Sequence, residues 1–522
     1  MPDEGHAAQD HVNAEEGTRE TDQDRGQDTA LDEATRGGIH TRLAAVLAES
    51  AARNPAARME VALHLEKAKR PAEARAHGLA AAEFAGFVGA VKERSEALEL
   101  VRRVSGPYDG EVSAALATCY LGLRRFDRVD GLCEEARAQP GPSEPLKAEF
   151  RYIQIAADHY CGRAPNSRIC VALEELLGSR GPGDFASRDD ALTLLLRTAD
   201  KTCDVALMRA TARRQWRTGR RSPGAEPSAH ALFARAYVFA KYYWPERAYP
   251  LLQEAQRKAE REQNWELDHA CREGLGVVLL QVGRFAESAE QFRYSLALAK
   301  RTLNPQAQVA SLVNLAVVEL ARGDYEAAAA YLSEAEQLDN KYPHWYHRVY
   351  RFSNQGEVAF ETGRFDEAAI KYEQALKRAL EMDERRIAMC ACAALALCAK
   401  ERGDYGALAT RCTELRTIIG DGDRVPHDRW KIAAAFAWDL CINQHKADAA
   451  AARLDRALHE MRRRDVDQWL RLELEAVRIE EFVAGHVSEK RRLHLAELAG
   501  AYQAQGVVRE ALSGLAPSGH AV

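Results

Sequence analysis

Four times along the chain a glycine is followed two residues later by an aromatic, at a constant interval. Gly283-Arg284-Phe285, Gly323-Asp324-Tyr325, Gly363-Arg364-Phe365 and Gly403-Asp404-Tyr405 begin at 283, 323, 363 and 403. A 40-residue period is the mark of a repeat array. It constrains the fold more than any other feature, because each unit buries its apolar faces against its neighbours rather than in one shared core. A small residue stands seven positions before each glycine (Gly276, Ala316, Gly356, Ala396). Others stand five after it (Ser288, Ala328 and Ala368, with Leu408 the exception) and twelve after it (Ser295, Ala335, Ala375). Between them, apolar residues such as Phe292, Leu296 and Leu332 recur at spacings of three and four, which lays one stripe along a helix. The glycine takes the left-handed conformation that ends a helix. Each unit therefore reads as helix, tight turn, helix, with the small residues where the two helices cross.

These residues resemble the tetratricopeptide repeat, whose hallmarks are small residues in both helices, a glycine turn and an aromatic just after it. The resemblance is specific from about 230 to 415. It implies an all-α solenoid, a right-handed superhelix of helix-turn-helix repeats. The period exceeds the usual ~34 residues and the closing proline is missing, so the helices or turns are longer. Long-helix variants of this kind are similar to those of bacterial peptide sensors and of the sensor regions of signalling ATPases and kinases. Degenerate copies extend the pattern. Tyr243 takes the glycine slot before Gly283, and His445 and Gly485 follow Gly403. Upstream, Arg124-Arg125-Phe126 is a fair copy, Gly162 a poor one, and the alanine-rich stretch 58–100 reads as further helical pairs.

No alternating run of Val, Ile and Thr suggests a strand, so helix should exceed about 60% of residues, against a base rate of about a third. The net charge of −6, from 72 basic and 78 acidic residues, gives no global attraction to nucleic acid. No apolar run approaches the ~18 residues that span a bilayer, and the N-terminus lacks the apolar core of a secretory signal. Eleven cysteines without framework spacing argue against a disulfide scaffold. The expectation is a cytoplasmic protein with reduced thiols.

Residues 1–36 hold eleven acidic residues against three arginines and almost no large apolar side chain, and read as a disordered tail. Residues 40–217 form a degenerate repeat-like block. Residues 218–229, with Gly219, Pro223, Gly224 and Pro227, read as a linker. The main array runs over 230–512, and 513–522 is expected to be disordered.

Chemistry-bearing motifs are few. There is no Gly-x4-Gly-Lys-Ser/Thr phosphate loop and no Gly-x-Gly-x-x-Gly after a strand, so the sensor-like part comes without a motor. His344 and His347 lack further ligands for zinc, and Asp421-Gly-Asp423 lacks the carboxylates of a calcium loop. Cys390 and Cys392 point about 200° apart on a helix and read, with Cys398, as small core positions. No catalytic arrangement is indicated: the expectation is a non-enzyme with no cofactor and no metal.

In tetratricopeptide superhelices the first helix of each pair lines the concave groove. The resemblance places an asparagine there that pairs with a bound peptide backbone, and Asn314 and Asn354 fill that slot in adjacent repeats. An amide both donates and accepts, so it can hold a peptide whatever its side chains. Structural pairing within the array is the rival role. Tyr237 and Lys241 take groove positions in the first sharp repeat. Tyr350 and Arg351 end the aromatic-rich run Tyr342–Arg351 just before Asn354, and Tyr350 falls on the groove side with Asn354 and Glu357; partner binding and ordinary packing are both readings. Leu280, Val313, Val317 and Leu320 make the middle of the groove apolar. Lys241 and Lys400 alone fall short of the basic clamp of chaperone-binding members. Arg209, Arg213, Arg214, Arg217, Arg220 and Arg221 crowd thirteen residues. They form a candidate patch for an anion or an acidic partner, the chain's own tail included, or else a solvated helix end.

The sequence thus reads as a scaffold that binds a protein or peptide in its groove, with a peptide sensor relaying binding to a separate effector as the alternative. Neither nucleic acid nor membrane is an expected partner, and homo-oligomerisation stays open.

Overall fold

The forty-residue period becomes a stack of helical hairpins. The computed structural model describes residues 32–52, 54–106, 108–178, 184–219, 226–241, 244–341, 345–420, 430–462, 465–487 and 489–501. Among the described residues 84% are helical, in 24 α-helices with no strand. The chain divides into two compact units, Met1–Cys119 and Tyr120–Val522.

The first unit holds α1 (Glu33–Ala51), a 3-10 turn at Pro55–Ala57, α2 (Arg58–Lys67), α3 (Pro71–Phe87) and α4 (Val91–Val104). The boundary falls within α5 (Gly110–Gly122). Ala44, Ala51, Val61, Leu65 and Ala74 form a core cluster of this unit. Most of the acidic tail, residues 1–31, lies outside the described residues. Helix α1 begins inside the stretch read as tail, because Asp32 caps it: its carboxylate accepts the Thr35 amide at 2.8 Å, filling one of the orphan donors of a helix start.

The second unit begins with α6 (Phe126–Ala138), α7 (Glu144–Cys161), α8 (Asn166–Leu177), α9 (Arg188–Lys201) and α10 (Val205–Thr218). The repeats follow as α11 (Ala229–Lys241), α12 (Pro245–Arg261), α13 (Trp265–Gln281), α14 (Phe285–Arg301), α15 (Pro305–Arg322) and α16 (Tyr325–Lys341). They continue as α17 (Trp345–Glu361), α18 (Phe365–Glu381), α19 (Arg385–Glu401) and α20 (Tyr405–Ile419). Then come α21 (Trp430–Ile442), α22 (Ala447–Met461), α23 (Val466–Ala484) and α24 (Glu489–Ala501).

The four glycine turns are built as the sequence predicts. Gly283, Gly323, Gly363 and Gly403 have φ of 77°, 76°, 74° and 73°. The small positions are closed contacts. Ser288, Ser295, Ala316, Ala328, Ala335, Ala368, Ala375 and Ala396 are fully buried, and a Cβ on Gly276 would stand 2.6 Å from the Phe292 ring. A second left-handed turn, not anticipated, joins one repeat to the next at Gln263, Leu303 and Asp383, with φ of 54°, 53° and 53°. Asn264 and Asn304 follow two of these turns and cap α13 and α15 by accepting the Leu267 and Ala307 amides.

The glycine- and proline-rich stretch read as a linker at 218–229 is a connection inside this unit. Thr218 still belongs to α10, Ala229 opens α11, and the Ser228 amide donates to the Gly219 carbonyl at 3.1 Å. Ala199 of α9, Met208 and Ala212 of α10 and Ala234 of α11 share one core cluster across it. Residues 220–225 lie outside the described residues, as does the C-terminal segment 513–522.

The array also curls until distant repeats meet. The Asn166 amide at the start of α8 donates to the Met382 carbonyl at 2.9 Å, and α7 packs on α17. From the other end, Val466 and Leu470 of α23 share a cluster with Phe285, Ala289 and Phe292 of α14 and with Leu315 and Val318 of α15. Helix α23 also packs on α13.

Candidate functional site: a cavity inside the curl

The first helices of successive repeats, α9, α11, α13, α15 and α17, wall an open-mouthed cavity of about 170 Å3. Leu252 of α12 and Arg386 of α19 complete its lining. Part of the wall is apolar: Phe233, Val277, Ala310 and Val313. The remainder is strongly polar and arranged in pairs.

Asp200, on α9, is the centre of one pair. Tyr237 donates to its carboxylate at 2.9 Å, and Lys241 stands 3.0 Å away. Burial, with the Asp200 charge beside it, holds the Tyr237 phenol well above its ordinary pKa, so it remains a donor. Close to this pair, Tyr350 donates to Glu384 at 3.2 Å and accepts from Arg386 at 3.0 Å. Burial raises the Glu384 carboxyl, although Lys201 and Arg386 pull the other way. Asn314 donates to Glu273 at 3.2 Å, with His269 3.9 Å from the same carboxylate. His347 and Tyr350 bring two aromatic rings, 6.3 Å apart, to the wall. Lys201 is almost fully buried, and that burial pushes its ammonium well below the usual lysine pKa.

Of the residues singled out from the sequence, Tyr237, Lys241, Asn314 and Tyr350 line this cavity together. Asn354 is half-buried in the next repeat and does not line it. Arg351 is buried within the array, with its guanidinium 2.7 Å from Glu336 and 3.2 Å from Asp339. Glu357 is also turned inward. It accepts from Tyr372 at 2.8 Å, pairs with Lys431 and lies 3.2 Å from Arg471 of α23. Burial opposes its charge, but Lys431 and Arg471 outweigh that and hold its carboxyl below the ordinary value. Leu280, placed in the apolar middle of the groove, packs in the cluster that contains Val466 and Leu470 of α23. That part of the inner face is covered by the chain itself.

The arginine patch splits. Arg209, Arg213 and Arg217 are exposed on α10, Arg214 donates to the Leu177 carbonyl, and Arg220 and Arg221 lie outside the described residues. The side chains of Tyr342, His344, Trp345 and Tyr346 also lie outside the described residues. Among the described residues no group of three or more His, Cys, Asp or Glu could hold a metal ion. No described helix is long and apolar enough to cross a membrane. Cys390, Cys392 and Cys398 are buried core residues.

Sequence reasoning missed Arg197, Asp200, Lys201, Glu273 and Arg386. The first three were legible in the period, since Arg197 and Lys201 stand one repeat of 40 before Tyr237 and Lys241. Their repeat was overlooked because Cys203 holds its glycine slot, in the same left-handed conformation at φ 60°.

Helical hairpins stacked at a fixed period define an α-solenoid. Within it, residues 266–341 match the family model described as "Tetratricopeptide repeat". A search of curated proteins returns no match. Among solved structures the chain is similar to a Rap protein complexed with Competence and Sporulation Factor. That pair shares 14% identity over 74% of this chain and 99% of that one, with a TM-score of 0.42. It is also similar to the Cut9-Hcn1 hetero-tetramer of the APC/C, at 12% identity over 88% and 91% of the two chains and a TM-score of 0.47. A third is the apo quorum sensor NprR from B. thuringiensis, at 10% identity over 74% and 98% and a TM-score of 0.42.

Proposed function

We propose that this chain is a binding scaffold that takes a peptide, or an unstructured segment of a protein, into the cavity between α9 and α17. One observation carries the reading: successive first helices bring Tyr237, Asn314 and Tyr350 to one open wall, beside apolar Phe233, Val277 and Val313. The cavity's own volume of about 170 Å3 admits a side chain or a short piece of extended chain through its open mouth, not a folded domain. The Asn314 bond to Glu273 uses one of its donors; the amide keeps a second N–H and an acceptor oxygen for a peptide backbone. The tyrosines supply large rigid faces at small entropic cost. Asn354, Arg351 and Glu357 stand outside this set.

The test is capture from a pool of short random peptides by the full chain. Wild-type protein should retain a subset of the pool. Asn314→Ala should weaken the retained peptides by about 0.5–1.5 kcal/mol, the net worth of a hydrogen bond, with its thermal midpoint unchanged. A variant that loses stability while binding as before would mean that Asn314 serves the array alone, and wild-type protein that retains no peptide would end the reading.

A further inference from the structure

Helix α1, the first described helix of its unit, has two contrasting faces. Ala44 and Ala51 turn into the core of that unit beside Leu47 and Ala48, and the helix packs on α2 and on the turn at Pro55–Ala57. On the other side Leu43 is 42% exposed and Val46 68%, with Ile39 half-buried next to them. The end of a helical array needs a polar outer face to stay soluble alone, and this face is apolar. At 100° per residue, Ile39 and Val46 fall within about 20° of one line along the helix, with Leu43 beside it. Arg42 and Glu49 are both exposed and form a second line on the opposite flank of the stripe. Neither makes an ion pair with a described residue, and the Arg42 Nε only approaches the Gly38 carbonyl, at 3.5 Å.

The 31 residues before Asp32 are too polar to cover this stripe: Met1, Val12 and Leu31 are their only large apolar side chains, against nine carboxylates. We propose that a second copy of this chain covers it, α1 against α1, antiparallel about a two-fold axis. The face is self-complementary, as a two-fold contact requires. An axis midway between Leu43 and Val46 sets Leu43 of each copy against Val46 of the other. Such an axis keeps each flank of the stripe on its own side. Arg42 of one copy therefore meets Glu49 of the other, offset by only ~3 Å along the helix, and the pair forms twice. A parallel pairing would instead set Arg42 on Arg42 and Glu49 on Glu49. The apolar stripe supplies the attraction, and the charges select the antiparallel register. The patch is small, so the dimer is a reversible one. The pairing does not depend on what enters the cavity of the second unit.

Sedimentation velocity of the full chain over a series of concentrations tests the pairing. Wild-type protein should pass from monomer to dimer as concentration rises. Val46→Glu should raise the dissociation constant at least about tenfold, because it buries a charge in the contact. Arg42→Glu and Glu49→Arg should each keep the chain monomeric, since each sets like charges opposite one another. Mixing those two variants should restore a dimer with one copy of each, because both facing pairs are then opposite in sign. All three positions are exposed or solvent-facing on α1, so thermal midpoints should match wild type. Should Val46→Glu fail to fold, the mixing experiment decides. A wild-type chain that is monomeric at every concentration overturns the proposal. A dimer that Val46→Glu leaves intact, or two charge variants that do not pair on mixing, overturns the assignment to α1.

Discussion

Replacing Arg471 by methionine is expected to lower the unfolding free energy by about 3–5 kcal/mol, the cost of breaking a buried ionic cluster from one side. Arg471 is buried on α23 and lies 3.2 Å from Glu357 and 3.1 Å from Asp467. It also pairs with Glu361 and donates to the Leu320 carbonyl at 3.4 Å. Its charge is favoured despite burial, because Asp467, Glu361 and Glu357 surround it. Glu361 depends on it most: burial raises that carboxyl, and Arg471 is the largest opposing influence. Methionine would fill the volume but take away the guanidinium that pairs with both inward carboxylates, Glu357 and Glu361. Adding Glu357→Gln and Glu361→Gln to Arg471→Met should restore much of the loss, because the uncompensated charge then disappears. Urea unfolding followed by tryptophan fluorescence reads the effect, since Trp430 lies beside the cluster. A loss below about 1 kcal/mol, as for an exposed ion pair, would show that α23 does not lock the inner face.

Phe292→Ala should cost about 3–5 kcal/mol, as for other buried aromatic rings. Phe292 is 1% exposed and seats its ring on the bare backbone of Gly276. Gly276→Val alone should cost about 1–3 kcal/mol by overpacking the same contact. The two should not add. With the ring gone, the valine enters the space it left, so the double variant should be less destabilised than the sum of the singles by more than the ~0.5 kcal/mol scatter of independent sites. Additive losses in urea titrations of the four proteins would mean that the small residue and the ring do not form the crossing contact.

The fold was largely legible because glycine is a visible label for a left-handed turn. Where another residue takes that conformation, as Cys203 does at φ 60°, the repeat is present but unlabelled. The turns at Gln263, Leu303 and Asp383 were hidden for the same reason. The site was legible in part. Tyr237, Lys241, Asn314 and Tyr350 could be placed from the repeat register, which fixes the face of a helix on which a residue stands. The register does not say what lies opposite that face. Glu357 stands 120 residues, three periods, after Tyr237, yet it meets Arg471, whose position depends on how far the superhelix curls. Arg351 was misleading in another way, since its partners Glu336 and Asp339 lie on the preceding helix. Curl is the sum of many small packing angles between repeats and leaves no mark at any single residue.

The most direct measurement is amide hydrogen exchange of the full chain with and without a peptide retained from the random pool. A ligand between the first helices should slow exchange in α9, α11, α13, α15 and the start of α17, and should leave α14, α16 and the arginine-bearing α10, none of which lines the cavity, as they were. Protection confined to α10, α14 or α16 would contradict the cavity as the binding site.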